Sequence, residues 1–266
     1  MITCSISFSQ KARKWDEVGI LLGGSYYLGD LNKVHFKNTQ PAGGILFRKN
    51  LSSLLALRLS GLYGTVKASD AQSNSAAQQY RNLSFESSIM EVSGQIEFNY
   101  YEIDTEDPDR SVSPYLFTGL SYFRMNPKAL YNGGDIYLIG LHTEGQGSDA
   151  YPDRKPYKVS QISIPLGIGL KMYPTKRLGI HLEWGIRRTF TDYLDDVSTT
   201  YVDPAVLPNS SGGYSAYFAD QTPVPDDAKF LNIGRQRGNS ENKDWYSFFG
   251  LSLSVNISKG RIICPH

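Results

Sequence analysis

Trp245-Tyr-Ser-Phe-Phe-Gly-Leu-Ser-Leu-Ser-Val-Asn-Ile257 is the stretch that decides the fold. From Phe249 onward every second residue is apolar: Phe249, Leu251, Leu253, Val255 and Ile257. Between them stand Gly250, Ser252, Ser254 and Asn256. A period of two marks a strand, here with one oily face and one face of small or polar groups. In a soluble sheet the oily face would meet a core. In a closed membrane barrel it meets lipid, and the polar face lines the lumen. The rest of the chain favours the barrel, because the same alternation returns along its whole length.

Working outward, the pattern recurs near Glu17 to Tyr27, Gly43 to Arg48, Ser53 to Val66, Leu83 to Tyr101, Pro114 to Met125, Tyr157 to Tyr173 and Leu178 to Phe190. Met90, Val92, Ile96 and Phe98 oppose an unbroken polar row of Glu91, Ser93, Gln95, Glu97 and Asn99. Near Pro114 the two faces are least clearly separated. Pro165 falls on an inner face, which removes a ladder bond unless a bulge absorbs it. The connections alternate long and short. Lys49-Asn50 and Pro174 to Arg177 are tight turns, and Glu102 to Val112 is compact and acidic. Lys67 to Asn82, Asn126 to Pro156 and Thr191 to Lys243 are long polar loops, the first with Ala and Gln that permit a short helix. An up-and-down barrel with short periplasmic turns and long extracellular loops has this rhythm. The expected fold is therefore all-β: an eight-stranded antiparallel up-and-down transmembrane β-barrel in the bacterial outer membrane. Tyr26, Tyr27, Tyr100, Tyr101, Tyr173, Trp184, Phe190, Tyr193, Trp245 and Tyr246 lie mostly at strand ends, where interfacial girdles are expected.

The bulk numbers agree. A chain of 266 residues suffices for one large β-domain, and a net charge of +1 offers no basic field for nucleic acid. No apolar run is long enough for a membrane helix, but barrel strands need only about 10 residues each. Ser7-Phe8-Ser9 before Gln10 resembles the end of a secretory signal, so residues 1–9 are read as a signal remnant and 10–266 as the barrel domain with a short periplasmic tail. Thr3 before Cys4 argues against a lipoprotein site. Without the remnant, Cys264 is the one cysteine left, either a free thiol or a bridge to a partner.

Projecting the inner face collects Glu17, Arg48, Arg58, Glu91, Glu97, Lys171, His181, Glu183 and Arg187. In a barrel of about eight strands the interior is just wide enough for side chains to fill. Charges there must pair, because an isolated buried charge costs several kcal/mol. A salt-bridge network that plugs the lumen is expected, not an open pore. His181 and Glu183 point the same way from one strand, as two members of a nucleophilic triad would. No serine stands beside them in a G-x-S-x-G motif, and no enzymatic role is assigned. Asp192, Asp195, Asp196 and Asp203 match no calcium loop and are expected to form a solvated turn. No phosphate loop, C-x-x-C pair or H-E-x-x-H is present. No catalytic residue, cofactor, metal or small-molecule substrate is expected, and the long loops leave open a surface barrel that binds ligands or surfaces.

Several segments resemble one family. Glu17-Val-Gly-Ile-Leu-Leu-Gly-Gly-Ser-Tyr-Tyr-Leu-Gly-Asp-Leu31 looks like the opening strand of the PorG-type outer-membrane proteins of the type IX secretion system. Arg81-Asn-Leu-Ser-Phe85 with Glu97-Phe-Asn-Tyr100 is similar to that family's fourth strand, and Thr191-Asp-Tyr-Leu-Asp-Asp-Val-Ser198 is the most specific match. Asp244-Trp-Tyr246 and Cys264-Pro265 also fit; Asn126 to Pro156 and Val202 to Lys243 match nothing. Gly29, Asp30, Asp192, Tyr193, Asp195 and Asp196 are the motif residues the resemblance singles out. It implies a barrel bound to outer-membrane lipid and to the periplasmic ring proteins of that machine, serving protein export and gliding motility. Partner contacts would then lie in Glu102 to Val112, Pro174 to Arg177 and the tail, with Cys264 a candidate contact.

Overall fold

Alternation decides the architecture, since every strand must put one face in lipid and the other in the lumen. The computed structural model describes residues 14–208 and 213–258. Its long strands are β1 (Trp15–Leu28), β2 (Gln40–Asn50), β3 (Leu55–Ser69), β4 (Ser84–Asn99), β5 (Val112–Tyr131), β7 (Ser160–Met172), β8 (Leu178–Thr189) and β9 (Trp245–Asn256). Each pairs antiparallel with its neighbours in chain order, and β1 closes on β9 from Glu17↔Asn256 to Leu28↔Trp245. These eight form a closed up-and-down barrel. A short strand, β6 (Gly134–Tyr137), extends β5 as a hairpin above it.

The chain enters and leaves at the end that carries the short connections, 51–54, 100–111 and 173–177. All the long loops gather at the opposite mouth. One helix there, α1 (Ala76–Arg81), sits in the loop rich in Ala and Gln; the other, α2 (Tyr214–Ala219), sits in the longest loop.

The outside is apolar. Ile45 is 68% exposed, Met90 60%, Leu251 51% and Leu253 44%, and no second layer covers them. In water such a belt would be an aggregation surface. In a bilayer it is the face a transmembrane barrel must present, with its backbone paired from strand to strand around the closed sheet. The protein is thus an outer-membrane-type barrel with its long loops on the extracellular side, and the bacterial outer membrane is its place.

Several details depart from expectation. Lys49 and Asn50, expected to make a tight turn, are the last residues of β2, paired with Asp16 and Trp15. The β5 faces separate cleanly, and the strand runs on to Tyr131 where a loop was expected. Pro165 is accommodated without a bulge. The β5–β7 ladder skips between Thr118↔Leu166 and Ser121↔Ser163 and resumes in the same register, while Pro165 stays paired with Arg187 on the other side. Tyr27, Tyr173 and Tyr246 are not girdle residues; they point into the lumen and donate hydrogen bonds to carboxylates. Tyr26 faces outward but is wholly covered by a fold of the β1–β2 loop. The expected signal remnant, Cys4 and Cys264 lie outside the described residues.

Candidate functional site

The lumen is built in layers by inward side chains two residues apart. At the periplasmic end Trp15, Ile103 and Tyr173 form a small apolar floor. Ile103 comes from the β4–β5 link and is buried there, so the link closes the barrel from below. Above the floor Glu17 gathers donors from several strands. Its Oε1 accepts from Trp15 Nε1 (2.6 Å), Asn50 Nδ2 (2.9 Å) and Tyr173 Oη (2.7 Å). Its Oε2 accepts from Arg48 (2.8 Å) and Ser254 (2.8 Å).

Glu97 is the hub of the next layer. It sits 2.8 Å from Arg48 Nε, 2.6 Å from Lys171 Nζ and 3.3 Å from Arg58 Nε. Arg58 also bonds Gln95 and Glu183, and Glu183 accepts from Tyr115 Oη at 2.9 Å. Higher still, Glu91 accepts from Arg187 Nε (3.1 Å) and Tyr246 Oη (2.6 Å). All nine charged or ionisable residues projected from the sequence are buried in this column. Four carboxylates face three arginines and one lysine, so the signs balance without His181. That balance is what a low-dielectric interior requires, and the hydrogen bonds that the carboxylates accept offset part of the desolvation.

His181 and Glu183 are not brought together. Glu183 is engaged by Arg58 and Tyr115. Around His181 Nε2 stand Ser254 Oγ (2.9 Å), Arg48 Nη1 (3.1 Å) and Glu17 Oε2 (3.7 Å). Its Nδ1 has no partner in the structure. A nucleophilic triad needs the acid on one ring nitrogen and the hydroxyl on the other. Here both crowd the same nitrogen, in a site sealed from either end.

Above Glu91 the lumen turns apolar. Val66, Phe85, Ile89, Phe123, Met125 and Ala129 point inward and pack against Leu194, Val197 and Phe218 from the longest loop. The cap over this plug is where the motif residues meet. Asp192, Asp195 and Asp196 are buried, not solvated, because the loop after β8 folds down into the mouth. Asp203 remains outside that cluster and caps a short turn through Ala205 N.

Tyr27 Oη lies 2.5 Å from Asp195 Oδ2 and 2.7 Å from Asp244 Oδ1. The same carboxylates accept from Val197 N and Leu194 N, which pins the loop. Burial pushes both acids well above the ordinary carboxylate range, and each stands in the field of the other or of Asp30 and Asp192. A phenol has one proton, so Tyr27 satisfies one carboxylate and the trio needs a second proton to bind the other. A Cβ at Gly29 would collide with Asp244 Oδ1 and Tyr27 Oη, which is why the chain has glycine there. Asp30 accepts from Asn239 N (2.7 Å). Asp192 accepts from Ser198 Oγ (2.6 Å), and burial raises it to about 7. Tyr193 stacks on Tyr157 at 4.8 Å, and Tyr157 donates to Asp196.

Two residues from the segments without a match hold the cap together. Glu144 accepts from Ser198 N, Thr199 N and Arg237 Nη1, each at 2.8–2.9 Å. Arg237 also donates to the carbonyls of Asp196, Ala219 and Phe218. Neither residue stands in a periodic pattern, so a single sequence carries no signal for them. Among the described residues no group of three or more His, Cys, Asp or Glu is placed to hold a metal ion.

Solved outer-membrane barrels align with the chain at low similarity. The N-terminal β-barrel domain of Pseudomonas aeruginosa OprF aligns over 92% of this chain and 100% of its own, at 11% identity and a TM-score of 0.38. Ail, the attachment invasion locus protein of Yersinia pestis, aligns over 92% and 99%, at 11% identity and a TM-score of 0.41. Neisserial surface protein A aligns over 92% and 97%, at 9% identity and a TM-score of 0.41. No curated protein matches the sequence. The model of one family, described as a domain of unknown function (DUF6089), matches residues 1–207, and the chain belongs to that family.

Proposed function

We propose that the protein is a non-enzymatic outer-membrane component of the type IX protein secretion system, associating with the periplasmic ring and anchoring or aligning the machine for protein export and gliding motility. The resemblance of its motif segments supplies the identity of the machine. The observation that carries the mechanism is the filled lumen, floored by Trp15, Ile103 and Tyr173 and capped by the loop pinned to Tyr27. A tube without a passage offers its outer wall and its two ends. The β4–β5 link at the periplasmic end is acidic. The β4–β5 link is anchored by Ile103, capped by Asp107 onto Asp109 N, and tied to the neighbouring turn by Lys176 and Glu106 at 3.4 Å. Such an acidic link suits a basic surface on a partner.

The test is a pull-down of ring proteins from detergent extracts with the tagged barrel. Loss of the ring on replacing the segments Glu102 to Val112 and Pro174 to Arg177 and removing the tail is the expected result. Full retention after all three changes contradicts the proposal.

A second reading, a stand-alone surface barrel, draws on the cap, where Tyr217, Phe230 and Leu231 are exposed on the extracellular side. It predicts loss of surface attachment on changing those three residues with the ring still bound.

A further inference from the structure

The β1–β2 loop folds back against the outer wall of β8, β9 and β1. Phe36 lays its ring 5.0 Å from Tyr26 and 5.1 Å from Phe249. Trp184 Nε1 donates to the Tyr26 hydroxyl at 2.9 Å, and His35 Nδ1 stands 3.0 Å from the same oxygen. Gly24 is the seat. A Cβ there would lie 2.5 Å from Thr39 Cγ2 and 3.1 Å from the Phe249 ring, so only a bare backbone lets the loop come this close.

The pairing register gives the loop's depth. Gly24 pairs with Phe249 and Phe249 with Trp184; Tyr26 pairs with Ser247 and Ser247 with Ile186. The outward positions of β8 are apolar from Leu178 to Ile186. The first charge among them is Arg188, which pairs with Trp245 and lies over its ring. Phe36, against Tyr26 and Phe249, thus sits below the level where this wall turns polar. Asn32 Nδ2 donates to the carbonyls of both Tyr27 and Val34, which ties Val34 near the same level. Val34 and Phe36 keep more than half of their surface free, and the next outward residues below, Leu22 and Leu251, are exposed too.

The loop is built for a place where water is scarce. A backbone group left unpaired at the edge of hydrocarbon is costly. Here side chains of the loop answer several of its own backbone groups. Asn32 Oδ1 accepts from Val34 N at 3.2 Å, while its amide serves the Val34 carbonyl at 2.9 Å. Thr39 Oγ1 donates to the Phe36 carbonyl, and Gln40 Nε2 to those of Asn38 and Thr39. Phe36 adopts φ 61°, a left-handed conformation that a bulky side chain rarely accepts, and its packing on the wall holds it there. The Lys37 ammonium turns to the Gln72 carbonyl at 2.5 Å, in the β3–β4 loop at the mouth, and so leaves the apolar tip uncharged.

We infer that the β1–β2 loop is a membrane anchor, lying along the wall in the outer leaflet with Val34 and Phe36 among the upper segments of the acyl chains. Its partner is lipid, because the exposed tip continues the lipid-facing belt and brings no charge with it. It thickens the wall on β8, β9 and β1 in that leaflet alone, which fixes how deep the barrel sits on this side. Aromatic groups at such a boundary hold depth in the same way. The anchor rests on the barrel's embedding in the membrane and is independent of any role in secretion.

Fluorescence quenching of the full chain in phosphatidylcholine vesicles tests it. A bimane label on Val34→Cys, with Cys4→Ser and Cys264→Ser, should be quenched by nitroxides carried high on the acyl chains and shielded from aqueous iodide. Labels on Leu253→Cys and on Asp227→Cys, an exposed residue of the longest loop, are the lipid and water references. Lipid quenching at 253 with iodide quenching at 34 overturns the anchor and leaves the embedding intact. A label at 34 shielded from both quenchers also overturns it, because protein then covers the tip. Asn32→Leu keeps the bulk but strips Val34 of both bonds, and should shift the label at 34 toward iodide. Equal quenching with and without that change contradicts a loop that must satisfy itself in lipid. Heat-dependent gel mobility checks that each variant is folded.

Discussion

The hydroxyl of Tyr27, on the first strand, reaches Asp195 Oδ2 at 2.5 Å across 168 residues of sequence, and Asp244 shares the same oxygen. The loop after β8 is thereby latched to the barrel wall. Phe85 packs edge-on against Tyr27 at 4.9 Å and shields the latch from below. The charged groups around it are Asp30 from the β1–β2 loop, Arg81 of α1, already paired with Asp70, and Asp192 of the latched loop. No cation is bonded to either latch carboxylate among the described residues, so a proton has to hold the second one.

That arrangement sets a pH dependence. The folded-state values of Asp195 and Asp244 are raised above the unfolded carboxylate value of about 3.9. The closed loop is therefore firmest below that value and weakens as pH climbs toward the folded-state values. A spin label at position 242 should grow more mobile between acid and alkaline pH. Asp195→Asn, which replaces the shared proton with a permanent donor, should flatten the response. A label equally mobile at both extremes in wild type would contradict the shared-proton latch.

Tyr27→Phe removes the one side-chain donor common to both carboxylates among the described residues. The expected cost is about 1–3 kcal/mol, the usual penalty for buried acceptors left unsatisfied. It should appear as a lower denaturation midpoint for the loop, read by protease cutting within 195–244, with the barrel itself still folded on a gel.

Gly29→Ala should act on the same latch without touching a hydrogen-bonding group. Its Cβ has no room beside Asp244 Oδ1 and Tyr27 Oη, so Asp244 must move. Loop mobility in this variant should match Tyr27→Phe; an unchanged label spectrum would show that the contact is not needed.

Glu97→Gln leaves Arg48, Arg58 and Lys171 facing one another in the lumen. Breaking one side of a buried ion network typically costs about 3–5 kcal/mol. The guanidinium unfolding midpoint in lipid should fall accordingly, and adding Lys171→Met should restore part of the loss.

A lumen packed with these charges below and an apolar plug above leaves no continuous water path. In planar bilayers the protein should give no sustained conductance steps. Regular steps at neutral pH would mean that the column opens.

The strands were legible because a period of two survives in a single sequence wherever lipid and lumen make opposite demands. Leu251 and Leu253 show it most clearly. Inner positions followed from parity, and the same parity was available for three misplaced tyrosines. Tyr27 lies ten residues from Glu17, Tyr173 two from Lys171 and Tyr246 six from Ser252, so each shares the inward face. Their aromatic character suggested an interface, but the hydroxyl reaches a lumen carboxylate. The upper plug was hidden for a different reason. Phe123 and Met125 face a lid supplied by a distant loop, so their apolar character looks like a blurred face until that loop is in place. The cap itself was only half visible. Its aspartates stood out as a motif, while Glu144 and Arg237, which bind it, are single residues in irregular loops.

Which medium the oily face meets is tested most directly at the closing strand. Cysteine placed at Leu253 and labelled with a fluorophore should be quenched strongly by nitroxides on lipid acyl chains, whereas cysteine at Ser252 should stay unreactive until the barrel is unfolded. Strong quenching at 253 together with protection at 252 is the predicted result. A label at 253 untouched by chain nitroxides, or a freely reactive 252, would contradict a lipid-facing exterior around a filled lumen.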